Sequence, residues 1–218
     1  MSRFPGYVPP ARMTIAGIPA DWTRGQFLAH LVARFGWTRG VEIGVSFGDT
    51  LRHLLAACPA LSMVGVDTWT ENPGAPEPAD WTAAHHASAL ASAEAVELEY
   101  GDRCTLIRGD SPGVASLVDP ASVDCVWIDG DHGTDACIAD IAAWLPALKP
   151  GGWLLGHDIN WPTVRAAVDA AVPGYLIGPD SVWFRPLHPT PSWWARRASC
   201  AASGATADAL ASAQAPAR

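Results

Sequence analysis

Four aspartates stand at the ends of short apolar segments of the chain: Asp67, Asp110, Asp129 and Asp158. The segments before them read as buried strands. The carboxyl ends of parallel strands lie at one edge of a sheet, so we expect these carboxylates to line a single cleft. Carboxylates in a cleft can attract a cationic ligand, hold a metal ion or accept a proton. Acids scattered over a surface would occur at both ends of the sheet, so this placement predicts a functional site.

Residues 41–50 form the segment that would organise this cleft. An apolar run leads into Gly44 and Gly48, and residues 51–57 have helical spacing, which predicts strand, tight turn and helix. The N–H groups at the start of that helix are free for an electron-rich ligand. The spacing is E-x-G-x-x-x-G, so the dinucleotide fingerprint G-x-G-x-x-G is not met, and an ordinary tight turn is an open alternative.

Strand and helix patterns alternate along the rest of the chain. A helix is expected from Asp21, as its N-cap, to Gly36, and another over about 80–99. A helix carrying Ile138 and Ile141 should continue to Leu148 and stop at the Pro and Gly of 149–152. Strands are expected at 40–45, 61–67, 104–108, 123–129 and 153–156, with a closing hairpin at 175–185. This alternation predicts an α/β fold with a doubly wound, mainly parallel sheet and helices on both faces.

Length and composition limit the class of protein. The 218 residues suit one domain at 21–188, preceded by a Pro-rich arm at 1–20 and followed by a low-complexity tail at 189–218. The arm could cover a cleft or a neighbouring subunit of a homo-oligomer. The net charge of −8, without a block of Lys or Arg, disfavours nucleic acid as a partner. No apolar run suits a membrane span or a signal peptide, so we expect a cytoplasmic protein, with its five cysteines reduced.

A family resemblance rests on several of these motifs together. The chain has E-x-G-x-x-x-G at 42–48, G-V-D at 65–67, G-D-S at 109–111, I-D-G-D-H at 128–132, L-K-P-G-G at 148–152 and H-D at 157–158. In this combination, residues 38–186 resemble the class I S-adenosylmethionine-dependent methyltransferases. Within them the chain is most similar to the small-molecule O-methyltransferases with an I-D-G-D-H motif, which include sugar methyltransferases. The resemblance implies a Rossmann-like seven-stranded sheet of order 3-2-1-4-5-7-6 with an antiparallel last strand.

The resemblance also implies where S-adenosylmethionine binds. Glu42 and the backbone around Gly44, Ser46 and Gly48 would hold the methionine end. Asp67 would bind the ribose hydroxyls, and Asp110 with Ser111 would flank the adenine. A carboxylate suits a ligand that carries both an ammonium and a sulfonium.

A divalent metal and a catalytic base are implied at the other strand ends. By resemblance, Asp129 and the pair His157–Asp158 would be the metal ligands. Relatives often carry a second carboxylate at the position of His157, and histidine favours ions such as Mn²⁺ over Mg²⁺. Asn160 could supply a neutral oxygen instead. Asp131 or His132 is the candidate base, with an N-cap or a hydrogen-bonded loop histidine as the alternative for His132.

These expectations define a function with two alternatives. The first reading is S-adenosylmethionine-dependent O-methylation of a small hydroxylated acceptor, such as a sugar or a natural-product-like metabolite. The alternatives are a non-catalytic S-adenosylmethionine- or nucleotide-binding regulatory module and a nicotinamide-dependent oxidoreductase. The loop at 68–82, the arm and Thr134, where relatives commonly have an aromatic residue, are expected to shape the acceptor pocket.

Overall fold

The computed structural model describes residues 18–72 and 81–187, and within them seven strands form one sheet. The strands are β1 (Arg39–Ile43), β2 (Ser62–Asp67), β3 (Cys104–Arg108), β4 (Val123–Ile128), β5 (Leu148–Gly156), β6 (Leu176–Ile177) and β7 (Trp183–Pro186). Their order is β3-β2-β1-β4-β5-β7-β6. β1 to β5 pair in parallel, and β7 is antiparallel to both β5 and β6. The predicted fold class and strand order are therefore confirmed.

Six α-helices cover the sheet within the described part of the chain: α1 (Arg24–Phe35), α2 (Asp49–Ala57), α3 (Ala83–Tyr100), α4 (Ser111–Val114), α5 (Thr134–Trp144) and α6 (Pro162–Ala171). α1, α2 and α3 contribute buried side chains to one apolar cluster, and α5 and α6 contribute to a second. Ile43 and Val66 belong to the second cluster and Met63 to the first, because successive side chains of a strand point to opposite faces. The strand patterns predict seven core side chains, and all but Val64, which is partly buried, are buried in the structure: Ile43, Val64, Val66, Val126, Ile128, Leu154 and Leu155.

The start of α1 differs from the prediction by two residues. Thr23, not Asp21, is the N-cap: its hydroxyl accepts from the N–H of Gln26, and the Gln26 side chain accepts from the N–H of Thr23. This reciprocal capping box outcompetes a lone aspartate. The helix ends as predicted at Gly36, which has a left-handed φ of 66°.

The segment between α5 and β5 also differs from the prediction. α5 ends at Trp144, a 3₁₀ turn follows at 145–147, and β5 begins at Leu148. Pro146 explains the difference, because its ring prevents an α-helix from continuing through this turn. The residues 149–152, expected to stop a helix, instead belong to a strand that was predicted to begin at residue 153.

Three predicted segments lie wholly or mostly outside the described residues: the arm, the tail and the middle of the loop at 68–82. Among the helices that are described, none combines the length and the apolar character needed to cross a bilayer.

Candidate active site

A glycine turn brings the ends of β1 and β4 together. Gly44 has a φ of 84°, and a Cβ there would run into the carbonyl group of Asp129. Any larger residue would therefore push β1 and β4 apart or strain the backbone. Gly48 has a φ of 80° and is the N-cap of α2, so the turn delivers the start of that helix to the edge of the sheet.

Asp67 fixes the shape of this turn from the neighbouring strand. Its Oδ2 accepts a hydrogen bond from the N–H of Ser46 at 2.8 Å, and its Oδ1 accepts from the N–H of Trp69 at 2.7 Å. The Trp69 indole donates back to the carbonyl of Ser46 at 2.9 Å. Ser46 and Trp69 both have positive φ, of 49° and 46°. These bonds hold both residues in an uncommon conformation, and this loop lies beside the cavity described next.

Two adjoining cavities lie at the carboxyl ends of the parallel strands. The first, of about 350 Å³, is lined from the ends of β1 to β4 and includes Asp67, Asp110 and Asp131. The second, of about 300 Å³, includes Arg24, Glu42 and Asp158. Five residues line both: Gly44, Ser46, Trp81, Asp129 and His132. The arrangement suits two ligands that meet at Asp129 and His132, and each volume suits a small molecule.

Glu42 is a buried acid that faces the second cavity. Its side chain is only 1% exposed, and its Oε2 has no hydrogen-bond partner among the described residues. Burial raises its pKa well above the ordinary value, and nearby Asp129 adds to this effect, while Arg24 and a hydrogen bond from Thr50 oppose it. A buried carboxylate without a full set of partners is costly, so Glu42 is suited to receive a cationic or hydrogen-bonding ligand.

Asp110 and Ser111 lie together at the start of α4 and line the first cavity. The Ser111 hydroxyl, however, accepts a hydrogen bond from the indole of Trp144 at 2.8 Å. Part of its bonding capacity is thus used within the protein. Asp140 lines the same cavity and was not identified from the sequence.

The second group of acids and histidines centres on His132. Its Nε2 lies 2.8 Å from Oδ2 of Asp158, and its ring stacks on Trp161 with centroids 4.5 Å apart. Burial lowers the pKa of His132, but the hydrogen bond to Asp158 outweighs it and the net shift is upward. Burial would raise the pKa of Asp158, yet its bonds to His132 and His157 hold that pKa well below the usual range.

Asp129, His132 and Asp158 each offer a ligand atom, and these three atoms lie within 4.8 Å of one another. Burial raises the pKa of Asp129 to about 6, although His157 and Arg24 oppose the shift. Two carboxylates and one imidazole form a donor set that suits Mn²⁺ and related ions. The sequence named Asp129 and Asp158 as ligands, but the structure places His132, which was expected to be a base, in this group.

His157, also named as a ligand, lies beside the group. Its Nδ1 is 3.2 Å from Asp158 Oδ2 and 3.6 Å from Asp129 Oδ1, and Nη1 of Arg24 approaches it at 3.4 Å. Its Nε2 is buried and has no partner within the described chain. His157 therefore orients the two carboxylates. Oδ1 of Asn160, the other suggested donor, is buried and has no hydrogen-bond partner among the described residues.

Asp131, the second candidate base, faces the first cavity only. Its Oδ1 accepts from the N–H of Gly133 at 2.6 Å, and its Oδ2 accepts from the side chain of Asn72 at 2.8 Å. Both oxygens thus tie loops together. Thr134, expected to shape the pocket, donates to the carbonyl of Thr163 at 3.0 Å and lines neither cavity.

Arg24 and Trp161 were missed in the sequence. The backbone of Arg24 is held by Asp180 at 2.8 Å, and its guanidinium lies 3.7 Å from Asp129. No motif surrounds Arg24, and only the packing of α1 brings it to the site. Trp161 could have been found, because it follows Asp158 by three residues in the same strand-end loop.

A seven-stranded sheet of this order, with a glycine turn after β1 and acids at the strand ends, has the class I methyltransferase architecture. Residues 41–159 match a family model described as a methyltransferase domain. The match includes more than half of the chain, which therefore belongs to this methyltransferase family.

Solved structures support the same fold. An O-methyltransferase from Bacillus cereus in complex with SAH is 18% identical, with a TM-score of 0.51 over 76% of this chain and 82% of that one. SAH-bound methyltransferase PaMTH1 from Podospora anserina is 16% identical, with a TM-score of 0.53 over 74% and 76%. Cofactor-bound Rv0187 from MTB is 17% identical, with a TM-score of 0.55 over 82% and 84%. No curated protein sequence matches the chain. At these identities the likeness is one of fold.

Proposed function

We propose that this methyltransferase transfers the methyl group of S-adenosylmethionine to a hydroxyl of a small acceptor. The observation that carries the proposal is the meeting of two cavities at Asp129 and His132. A donor whose adenosine fills the first cavity and whose methionine end reaches Glu42 in the second would lie beside an acceptor held in the rest of the second cavity. Such alignment supplies much of the rate of a displacement reaction. The SAH found in two similar structures supports the choice of donor.

The cofactor is assigned to the glycine turn and the acids around it. The adenosine part would lie in the first cavity, with its ribose near Asp67 and its adenine near Asp110. Each carboxylate oxygen of Asp67 accepts one hydrogen bond from a backbone N–H group. Each oxygen keeps a further lone pair that could accept from a ribose hydroxyl. The methionine part would extend past Gly44 and Ser46 toward Glu42, whose unpaired oxygen would accept the ammonium.

The acceptor is assigned to the second cavity, with His132 as the base. The acceptor oxygen attacks the methyl carbon, the carbon–sulfur bond breaks, and the electron pair of that bond stays on sulfur. The hydroxyl proton passes to His132. With Nε2 engaged by Asp158, Nδ1 is the nitrogen available for that proton. Asp158 stabilises the imidazolium that results, and Trp161 fixes the plane of the ring.

The residues at this site also fit a divalent ion. Asp129, His132 and Asp158 would hold it, and Mn²⁺ or Mg²⁺ would be the candidates. In that form His132 would be a metal ligand and would not act as the base. When bound, such an ion would lower the pKa of the acceptor hydroxyl. The guanidinium of Arg24 lies 3.7 Å from Asp129, so a protein side chain also supplies positive charge at this site.

The proposal is tested with labelled S-adenosylmethionine and a panel of small hydroxylated acceptors, including sugars and catechols. Label should appear in an acceptor product with one SAH formed for each methyl transferred. The variant His132→Asn should bind SAH but form little product. Binding of SAH without transfer to any member of a broad panel would favour the non-catalytic regulatory module.

A further inference from the structure

Arg24 places a guanidinium on the wall of the second cavity. Within the described part of the chain, it is the only lysine or arginine that lines either cavity. We infer that Arg24 binds a carboxylate of the acceptor, so that the substrates are hydroxy acids rather than neutral hydroxylated compounds. This inference rests on the proposed function, which assigns the acceptor to the second cavity, and it names the chemical class of that acceptor.

The position of Arg24 is fixed by contacts of its backbone. It is the first residue of α1 and directly follows Thr23, the N-cap of the capping box. Its N–H donates to Oδ2 of Asp180 at 2.8 Å, and Asp180 lies 156 residues away in the loop between β6 and β7. Asp180 has a φ of 50°, which is uncommon for a residue other than glycine. The start of the helix is thus held by two neighbouring loops, and this fixes the origin of the side chain at the cavity.

Most donors of the Arg24 guanidinium are unused within the described chain. Nη1 lies 3.4 Å from Nδ1 of His157 and 3.7 Å from Oδ2 of Asp129. Nε and Nη2 have no hydrogen-bond partner among the described residues. The Arg24 side chain is 39% exposed, and an ion pair at 3.7 Å in such a place is longer than a hydrogen bond and contributes little to stability. The contact with Asp129 therefore leaves most of the planar guanidinium available to a ligand.

The other acids of the second cavity are matched with other groups. Asp158 is hydrogen-bonded to His132 at 2.8 Å. The Asp49 side chain is 82% exposed and lies 4.0 Å from Arg52. Glu42 is assigned to the ammonium of the cofactor. These acids are paired, open to solvent or reserved for the donor, so an anionic acceptor does not have to lie against an uncompensated carboxylate.

The chemistry of the cavity favours a carboxylate over a phosphate. A guanidinium binds a planar carboxylate through two parallel hydrogen bonds. A phosphate could use the same donors, but its additional negative charge would be repelled by Asp129 and Asp158. Phe47, Trp81 and Trp161 also line the cavity, and their apolar faces suit the ring of an aromatic acid or a sugar acid.

The test uses two pairs of compounds that differ only in a carboxylate and its amide: protocatechuate with its amide, and glucuronate with glucuronamide. Affinities for the complex of the protein with SAH are measured by calorimetry in EDTA, which removes any ion that could bind the carboxylate. Wild type should bind the carboxylate of at least one pair about tenfold or more tightly than the amide. Arg24→Gln should bind both members about equally. Arg24→Lys should give an intermediate ratio, because lysine keeps the charge but not the planar fork.

The control is Arg34→Gln, which makes the same charge change at an exposed position in the last turn of α1 and should keep the wild-type ratio. Arg24→Gln should also keep the SAH affinity of wild type, which shows that it is folded. Equal binding of acid and amide by wild type, failure of both carboxylates to bind, or an unchanged ratio in Arg24→Gln would overturn the inference. Methyl transfer to neutral acceptors would then leave the proposed function in place. Failure of wild type to bind SAH, or to methylate any member of the acceptor panel, would reject the proposed function itself.

Discussion

Nε2 of His132 lies 2.8 Å from Oδ2 of Asp158, although 26 residues separate them in the chain. The pair joins the loop after β4 to the end of β5, and these two strands are neighbours in the sheet. A histidine supported by an aspartate is a stronger base than a free imidazole, because the aspartate stabilises its protonated form. The same two side chains can also serve as metal ligands.

Replacing His132 with Asn should separate catalysis from cofactor binding. We expect turnover to fall by about 10²- to 10⁴-fold, the usual contribution of a positioned base, with SAH affinity changed only a few-fold. Single-turnover kinetics and calorimetry measure the two effects. His53→Asn, at an exposed histidine on α2, is the control and should leave both unchanged. A large loss of SAH affinity in His132→Asn, with turnover kept at saturating cofactor, would contradict the assignment.

Metal assistance predicts that EDTA lowers turnover by orders of magnitude and that added Mn²⁺ restores it. SAH affinity should remain nearly the same, because the cofactor is assigned to residues 42–48, 67 and 110. His157→Glu should shift the ion preference toward Mg²⁺, since it places a further carboxylate beside Asp129 and Asp158. Full turnover in EDTA would remove the metal from the account and leave His132 with Asp158 as a sufficient base.

Glu42→Gln should stabilise the protein without ligand and weaken the binding of the cofactor. Because burial raises the pKa of Glu42, the folded state keeps a proton that the unfolded chain releases above about pH 4.5. The contribution of Glu42 to the free energy of unfolding of the wild type therefore falls as the pH rises from 4.5 toward the pKa in the folded state. The fall is about 1.4 kcal/mol for each pH unit. The variant lacks this loss, so its melting temperature should exceed that of wild type at pH 8 and match it near pH 4.

The same variant should bind SAH about tenfold or more weakly, because a neutral amide replaces the carboxylate assigned to the ammonium. Thermal melting at two pH values and calorimetry check the two effects. A lower melting temperature at pH 8 would show that Glu42 is a structural acid rather than one held for a ligand.

Asp124→Ala should destabilise the junction of β1 and β4. Oδ2 of Asp124 accepts from the N–H groups of Thr38 and Arg39 at 2.8 and 3.0 Å, and Lys149 binds Oδ1 at 2.7 Å. Burial would raise the pKa of Asp124, but these bonds outweigh it and lower the pKa. The stabilisation of the folded state by the ionised Asp124 carboxylate is thus present at neutral pH. It declines as the pH falls below 3.8 toward the pKa in the folded state.

Chemical denaturation should show a loss of about 1–2 kcal/mol for Asp124→Ala at pH 7, shrinking in acid. The control is Asp119→Ala, at an exposed acid in the loop before β4, which should change stability little. A loss for Asp124→Ala that is constant from pH 7 to pH 3 would mean that packing, not the ionised carboxylate, is responsible.

The sheet and its strand order could be predicted because the sequence patterns of its strands and turns agree with the tertiary structure. Apolar strands, glycine turns and acids at strand ends all reflect one geometry, and Gly44 is required by its contact with Asp129. The start of α1 was not predicted, because Asp21 and Thr23 are both good caps and only the reciprocal bond with Gln26 decides between them.

The sequence indicated the acids at the strand ends but not the residues that surround them. Arg24, Asp140 and Trp161 reach the cavities through helix packing or loop geometry, and no spacing rule connects them to the strand ends. The roles of His132 and His157 depended on side-chain direction. His157 follows β5 directly and lies only 10% exposed beside both carboxylates, whereas His132 sits in a loop long enough to turn its ring toward Asp158. Such directions are set by tertiary contacts.

Calorimetric titration of the wild-type protein with SAH and, separately, with NAD tests the central assignment most directly. The cavity at Gly44, Asp67 and Asp110 should bind one SAH per chain, and NAD should give no binding heat, because the glycine turn lacks the dinucleotide spacing. Asp67→Ala should weaken SAH binding strongly. The substitution removes the proposed ribose ligand and the hydrogen bonds that Asp67 accepts from the N–H groups of Ser46 and Trp69. Binding of NAD without binding of SAH would contradict the account.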